Sequence, residues 1–235
     1  MGSDVPDRPV EPPRPDFRSL AADLFEAACV AVVFALFVRT FLVQAFEVPT
    51  ASMERTLLVG DRVLVNKFAF APRARGPGAK LLPYRDIRRG DVFVFKYPED
   101  PERDFIKRAV ALPGDTVAIR DKELFVNGAR QDEPRVFHSD AFVRHDDPLL
   151  PEAYRRRDQL PDTVLPPDFY FALGDNRDLS QDSRFWGPVP AGNVKGRPLV
   201  VYWSLAPESE RRPLPGRLLA FVTETRWGRT FLAVR

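Results

Sequence analysis

Cysteine and histidine are scarce in this sequence. Its 235 residues include one cysteine, Cys29, and two histidines, His138 and His145. One cysteine cannot form an intramolecular disulfide, and the ligands of a cysteine-built zinc site are missing. Two histidines also argue against a multi-histidine metal centre, so no cofactor is expected. The chemistry has to come from other side chains.

The chain also lacks an excess of charge of either sign. It has 35 basic and 33 acidic residues, a net charge of +2, which is too balanced to predict a nucleic acid as partner. Only 6 of the basic residues are lysines. Because arginine stays protonated whereas a desolvated lysine can lose its proton, each lysine is a candidate base.

Hydrophobic residues are concentrated near the N-terminus. Residues 1–19 are rich in proline and charge, which predicts a solvated tail. Residues 20–46 predict one transmembrane anchor, because the 23 residues of Leu24–Phe46 would form a helix about 34 Å long, enough for a bilayer core of about 30 Å. A buried core helix and a cleavable secretion signal are the alternatives. The acidic flank argues against the signal and leaves the topology undecided by charge bias.

Short apolar or alternating runs bounded by turn residues follow Phe46 and predict a mainly β extramembrane domain, residues 47–235. Residues 129–167, dense in charge and proline, predict an insertion or lobe within it, and no long amphipathic helix is expected. The predicted strands are Asp61–Lys67, Asp91–Lys96, Phe105–Leu112, Glu123–Val126, Asp168–Leu173, Leu199–Trp203 and Leu218–Val222.

One serine stands apart from the others. Ser52 is the only serine between Ser19 and Ser139, and it follows the apolar block directly. Pro49 ends the preceding element, and on an extended segment the side chains of Thr50 and Ser52 point the same way. A turn serine without a chemical role is the alternative.

One lysine is predicted on an apolar strand face. Alternation puts Lys107 on the same face as Phe105 and Ala109, with Arg108 on the other. Loss of hydration lowers the pKa of a lysine, because the charged form is disfavoured. A neutral amine could take the proton of a serine hydroxyl. An edge lysine that keeps its amine in solvent is the alternative.

A long polar segment, residues 174–187, follows a predicted strand and contains three aspartates, two serines and two arginines. Paired aspartate and arginine side chains can hold a loop by bidentate hydrogen bonds. A solvated surface loop is the alternative. A calcium site is disfavoured by the two arginines.

Together these segments resemble the conserved boxes of the bacterial type I signal peptidases, a family of membrane-anchored serine–lysine proteases. Phe46–Met53 resembles the nucleophile box, Gly90–Phe95 the next strand box, Ile106–Asp115 the general-base box and Gly174–Arg184 the last box. The order and spacing are those of the family.

The resemblance implies that Ser52 is the nucleophile and Lys107 the general base of a Ser–Lys dyad. Thr50 would contribute its hydroxyl to the oxyanion hole, and Ser180 would orient Lys107 by a hydrogen bond. Ionic contacts within the last box would be made by Asp175, Asp182 and Arg184.

The resemblance also implies a fold, a substrate and a location. The fold would be a β-rich catalytic core with a smaller inserted β lobe, preceded by one transmembrane helix. Substrates would be preproteins cut after small residues at positions −1 and −3, and the enzyme would lie in the bacterial plasma membrane with its catalytic domain on the periplasmic side. The apolar pockets would be lined by Phe46, Val48, Met53, Leu57, Phe105 and Ile106.

One residue departs from the family pattern. Arg55 stands where the family has the proline of Ser-Met-x-Pro-Thr-Leu, and loss of that proline is expected to loosen the backbone after the nucleophile. A silent membrane-tethered homologue that binds exported chains is therefore the alternative of a different class. An organellar homologue is a further alternative. A self-cleaving repressor-type protease is disfavoured because residues 1–46 do not resemble a DNA-binding domain. The oligomeric state is left open.

Overall fold

A computed structural model of the protein describes most of the chain, in two units, Met1–Phe41 and Leu42–Arg235. The first sixteen residues of the predicted tail lie outside the described residues, as does His145. The described residues are 17–70, 85–143, 149–151, 155–210 and 213–234.

An apolar helix, α1 (Phe17–Phe37), dominates the first unit and continues as a π-helical segment, Val38–Leu42. Leu20–Leu42 has a mean hydropathy of 2.2 and is long enough to cross a membrane, the one such helix in the part of the chain that the structure describes. None of this span is buried in the protein, which does not support the core-helix alternative. The span ends earlier than predicted, because Val43–Glu47 forms a strand.

The second unit is built mainly from antiparallel strands, which confirms the mainly β prediction. The strands are β1 (Val43–Glu47), β2 (Asp61–Asn66), β3 (Val92–Lys96), β4 (Asp104–Ala111), β5 (Thr116–Arg120), β6 (Glu123–Val126), β7 (Ala129–Arg130), β8 (Leu160–Val164), β9 (Phe169–Leu173), β10 (Val189–Pro190), β11 (Val194–Ser204) and β12 (Leu232–Ala233).

The larger sheet has the order β1-β2-β11-β3-β4-β9-β10, and β12 pairs with β11. β11 joins its two halves, since it pairs with β2 through its C-terminal part and with β3 through Val194 and Gly196. Pro198 is accommodated inside this central strand next to a shift in the pairing register, as expected for a residue without a backbone donor. β4 pairs with β3 on one side and with β9 on the other, so it lies in the interior of the sheet.

The smaller sheet has the order β7-β6-β5-β8. It begins at Thr116, upstream of the predicted 129–167 insertion, and Asn127 and Gly128 form the predicted hairpin turn with positive φ. Pro161 is tolerated because β8 is an edge strand. The buried side chains of the smaller sheet pack with those of β4 and β9 in one apolar cluster, so the two sheets share a core.

Three short α-helices lie after β9 in the described residues: α2 (Ser183–Trp186), α3 (Pro207–Glu210) and α4 (Leu214–Thr223). The strand predicted at Leu218–Val222 was wrong, because these residues belong to α4. Pro215 sits in the first turn of that helix, where its missing N–H costs nothing. A short apolar run does not by itself distinguish a strand from a helix.

Candidate active site

The segment that carries Ser52 leaves the sheet at the end of β1. Val48 is tied to the start of β2, since its N–H donates to the carbonyl of Asp61 over 2.9 Å and its carbonyl accepts from Gly60. Thr50 is extended, with φ −134° and ψ 154°, and a short 3-10 helix, Ala51–Met53, follows. This helix buries Met53 in the apolar core and leaves Ser52 5% exposed.

Lys107 reaches Ser52 from the middle of β4. Its Nζ donates to Ser52 Oγ over 2.5 Å, and the lysine is only 4% exposed. The aliphatic side chain passes the ring of Phe105, whose centroid is 5.5 Å from Nζ, as alternation along a strand predicts. The structure thus brings together two residues 55 positions apart in sequence.

Burial lowers the pKa of Lys107 to about 8. The carboxylates of Asp182 and Asp175 oppose the shift and the charge of Arg184 adds to it, but loss of hydration is the largest cause. The lysine forms no ion pair within the described residues, so nothing next to it fully compensates its charge. An amine with this pKa can accept a proton near neutral or mildly alkaline pH.

Thr50 adds a second hydroxyl to the site. Its Oγ1 lies 3.3 Å from Ser52 Oγ, so both side chains point into the same space. A donor at this position could stabilise negative charge on an oxygen bound next to Ser52.

The last polar segment packs against the nucleophile segment from the other side. The N–H of Asn176 donates to the carbonyl of Ser52 over 3.1 Å. Gly174 must lack a side chain, because a Cβ there would lie 2.5 Å from that carbonyl and 2.3 Å from Ser180 Oγ. Two backbone approaches therefore fix Ser52 against this segment.

Asp175 anchors one end of this polar segment. Its carboxylate accepts two hydrogen bonds from Arg108, at 2.8 and 2.7 Å, and one from Thr56 at 2.5 Å. Arg108 also donates to the carbonyl of Gly90. Sequence reasoning gave Arg108 no role, although alternation had put it on the strand face opposite Lys107.

Asp182 and Arg184 hold the other end. Arg184 binds both carboxylate oxygens of Asp182 at 2.8 Å and donates to the carbonyls of Arg157 and Arg177. Burial alone would raise the pKa of Asp182, but the charge and hydrogen bonds of Arg184 and the charge of Lys107 hold it below its usual value. Asp182 stays ionised and caps α2.

Ser180 is buried beside Gly174. Its hydroxyl has no hydrogen-bond partner among the described residues, so the bond expected to orient Lys107 is not formed in this structure. The orienting role stays a prediction.

A cavity of about 450 Å³ opens next to Ser52 and Lys107. Five of the six predicted pocket residues line it, namely Phe46, Val48, Met53, Phe105 and Ile106. Leu57 does not, which corrects the prediction: it is 0% exposed and belongs to the core cluster beneath Met53. Sequence reasoning missed the polar rim of this cavity, which includes Glu47, Arg103, Asp104 and Gln181.

Comparisons with known proteins place the whole chain rather than its individual site residues. The sequence model of the family "Signal peptidase, peptidase S26" matches residues 21–203. Signal peptidase I of Pseudomonas aeruginosa is 38% identical over 204 residues, which cover 77% of this chain and 71% of that protein. Signal peptidase I of Aquifex aeolicus is 34% identical over 233 residues, covering 78% of this chain and 86% of that protein.

A solved signal peptidase I from Enterococcus faecalis is 27% identical and covers 48% of this chain and 97% of its own, with a TM-score of 0.36. This likeness is too partial to define the fold. The family match and the two relatives therefore carry the comparison.

Proposed function

This chain belongs to the signal peptidase family, peptidase S26, and we propose that it is a membrane-anchored signal peptidase I acting through Ser52 and Lys107. Its substrates would be exported preproteins, from which it removes the N-terminal signal peptide. The observation that carries the proposal is the 2.5 Å contact between a buried lysine of lowered pKa and a serine hydroxyl.

The reaction begins with a proton transfer. Neutral Lys107 accepts the hydroxyl proton of Ser52 while Oγ attacks the scissile carbonyl carbon, and the carbonyl oxygen becomes an oxyanion. Thr50 Oγ1 and the backbone N–H of Ser52 donate hydrogen bonds to it. Each such donor contributes about 3 kcal/mol in comparable acyl-transfer sites.

The intermediate then collapses. The bond to the leaving amine breaks, the amine takes the proton held by Lys107, and the signal peptide remains as an ester on Ser52. Neutral Lys107 next takes a proton from water, the hydroxide attacks the ester, and the proton returns to Ser52 Oγ as the ester bond breaks. The signal peptide leaves as a carboxylic acid, which releases its proton to solvent.

Specificity is proposed to come from the apolar part of the cavity. Met53, Phe105 and Ile106 restrict the space beside the dyad, which favours small side chains at positions −1 and −3 of the substrate. Leu57 contributes only through the core that supports Met53.

The anchor supports a location at a membrane. Leu20–Leu42 is long enough to span a bilayer, and Ser52 follows its last residue by ten positions. We place the enzyme in the bacterial plasma membrane, with the catalytic domain on the periplasmic side, where the cleavage point of an exported preprotein emerges.

The test is cleavage of a preprotein with an Ala-x-Ala site by the detergent-solubilised full chain. Cutting after the second alanine should disappear in Ser52→Ala and in Lys107→Ala. Lys96→Ala is the matched control, because Lys96 is the exposed end of β3, and it should cut as the unaltered chain does. A folded unaltered chain that cuts nothing would favour the silent, chain-binding homologue.

A further inference from the structure

The turn that follows Ser52 has a backbone conformation that proline cannot adopt. Glu54 has φ −51° and ψ 146°, Arg55 has φ 79°, and the N–H of Thr56 donates to the carbonyl of Met53 over 3.0 Å. These angles are those of a type II turn with Arg55 at its third position, where positive φ is required. Proline holds φ near −65° and would break this turn.

An arginine with positive φ is uncommon and needs support from its surroundings. Arg55 is exposed, and its guanidinium lies 4.8 Å from the ring centroid of Phe137, within the range of a cation–π contact. The preceding residue is also held, because Asn176 Nδ2 donates to the carboxylate of Glu54 over 3.2 Å.

Phe137 is fixed in turn by the last polar segment of the site. It forms a parallel β-bridge with Asn176. The N–H of Phe137 donates to the carbonyl of Asp175 over 3.0 Å, and its carbonyl accepts from the N–H of Arg177 over 3.2 Å. Asn176, between them, donates its own N–H to the carbonyl of Ser52.

These contacts form a closed circuit. From Ser52 the chain reaches Arg55, the ring of Phe137 joins Arg55 to Asn176, and Asn176 returns to Ser52. We infer that Arg55 and Phe137 are positioning residues, which form a clamp that holds the nucleophile turn and keeps Ser52 Oγ in reach of Lys107. The inference rests on the proposed function and adds to it a contribution from the segment that joins β7 to β8 in the smaller sheet.

The clamp would restrain the backbone that loss of the family proline was expected to loosen. A proline would restrict φ through its ring, whereas here one external contact and the Met53–Thr56 hydrogen bond close the turn. Arg55→Pro is therefore expected to lower activity, by about tenfold or more, because its fixed φ is incompatible with the turn.

The test removes each half of the clamp from the full chain in detergent and measures kcat and KM for the Ala-x-Ala preprotein. Arg55→Gln and Phe137→Leu should each lower kcat about threefold to fivefold, as expected for an exposed cation–π contact, with KM nearly unchanged. The double variant should lose no more than either single variant. Arg55→Lys and Phe137→Tyr, which keep a cation and a ring, should stay within about twofold of the unaltered chain.

A matched control uses Arg120, which is exposed, and Phe125, which is half-buried; their guanidinium and ring centroid are 5.1 Å apart in the smaller sheet. Arg120→Gln should leave kcat unchanged. Equal losses in Arg120→Gln, losses that multiply in the double variant, or no loss in Arg55→Gln would each overturn the clamp.

Amide hydrogen exchange tests the clamp independently of cleavage. In Arg55→Gln and Phe137→Leu, the amides of Thr56 and Asn176 should exchange faster, by about threefold to fivefold, while Arg120→Gln changes neither. Unchanged exchange would contradict the clamp. An unaltered chain that cuts nothing would contradict the proposed function alone, since exchange would still decide for or against the clamp.

Discussion

Two neighbouring cations on opposite faces of β4 have opposite environments, since, in the part of the chain that the structure describes, one is ion-paired and the other is not. Lys107 and Arg108 are consecutive and both buried. Arg108 binds the carboxylate of Asp175 through two nitrogens, whereas Lys107 contacts a neutral hydroxyl and forms no ion pair within the described residues. The ion pair of Arg108 stabilises the scaffold, whereas burial of Lys107 without such a partner lowers its pKa to about 8.

The difference shows how one strand can serve both structure and chemistry. A buried cation with a well-placed carboxylate has no reason to release its proton. A buried cation without such a carboxylate loses its proton more readily, and keeping it charged in the folded state lowers the free energy of unfolding. The residue types match, since arginine cannot act as a base and lysine can.

The largest expected effect comes from removing the unpaired cation. Lys107→Met should lower kcat/KM about a thousandfold, within the range for loss of a general base. Thermal unfolding of the variant would show that it is folded. Residual activity within tenfold of the unaltered chain would mean that Lys107 is not the base.

Removing the paired cation should instead affect stability. Arg108→Met leaves the carboxylate of Asp175 buried without its partner, which should lower the free energy of unfolding by about 3 kcal/mol. Denaturant unfolding, followed by a spectroscopic signal from the second unit, measures this change in the free energy of unfolding. Arg120→Met is the matched control, because its partner Asp162 is exposed, and it should change the free energy by under about 0.5 kcal/mol.

The same measurement on Lys107→Met should show the opposite effect, an increase in the free energy of unfolding. The folded pKa of about 8 lies below the ordinary lysine pKa of 10.5, so the unfolded state binds more protons between these values and the free energy of unfolding rises with pH there. At pH 7 the free energy of unfolding of the variant should therefore be about 3 kcal/mol higher than that of the unaltered chain, and this gain should shrink by pH 10. A destabilised variant at pH 7 would contradict an uncompensated charge.

Activity should follow the same proton. Because only neutral Lys107 can act as base, kcat/KM should rise about tenfold from pH 7 to pH 9 and then level off. A kcat/KM that stays constant across this range would show that the activity does not depend on the protonation state of Lys107.

The smallest effect is expected from the histidines. His138 lies beside Asp178, 3.7 Å from its carboxylate, and does not line the cavity at Ser52. Replacing His138 and His145 together with glutamine should change kcat/KM by less than about twofold, since Lys107 already provides the base. A loss of two orders of magnitude in a folded double variant would make one of them part of the reaction.

Predictions made from local pattern succeeded where the pattern itself determines the geometry. Period-two alternation put Phe105 and Lys107 on one strand face, and a long apolar segment with few charges indicated the N-terminal helix. They failed where two solutions share one local pattern. Leu218–Val222 reads equally well as strand or helix, and Leu57 is apolar whether it lines a pocket or fills the core beneath it.

The hydroxyl of Ser180 illustrates a further limit. Its neighbours along the chain indicate that it lies in a polar loop, but they do not indicate that the loop folds back so that the hydroxyl lies beside Gly174. Phe137 is a similar case, since nothing local distinguishes an aromatic residue in a charged insertion from one that meets Arg55.

The amino-acid sequence by itself determined the apolar span, the mainly β composition of the second unit and the candidate nucleophile and base, because each depends on residues close together in the chain. The tertiary structure alone decided the distance from Lys107 to Ser52, the lowered pKa, the pairing of Arg108 with Asp175 and the turn at Arg55. Burial and pairing depend on residues that are distant in sequence and meet only when the sheets close around them.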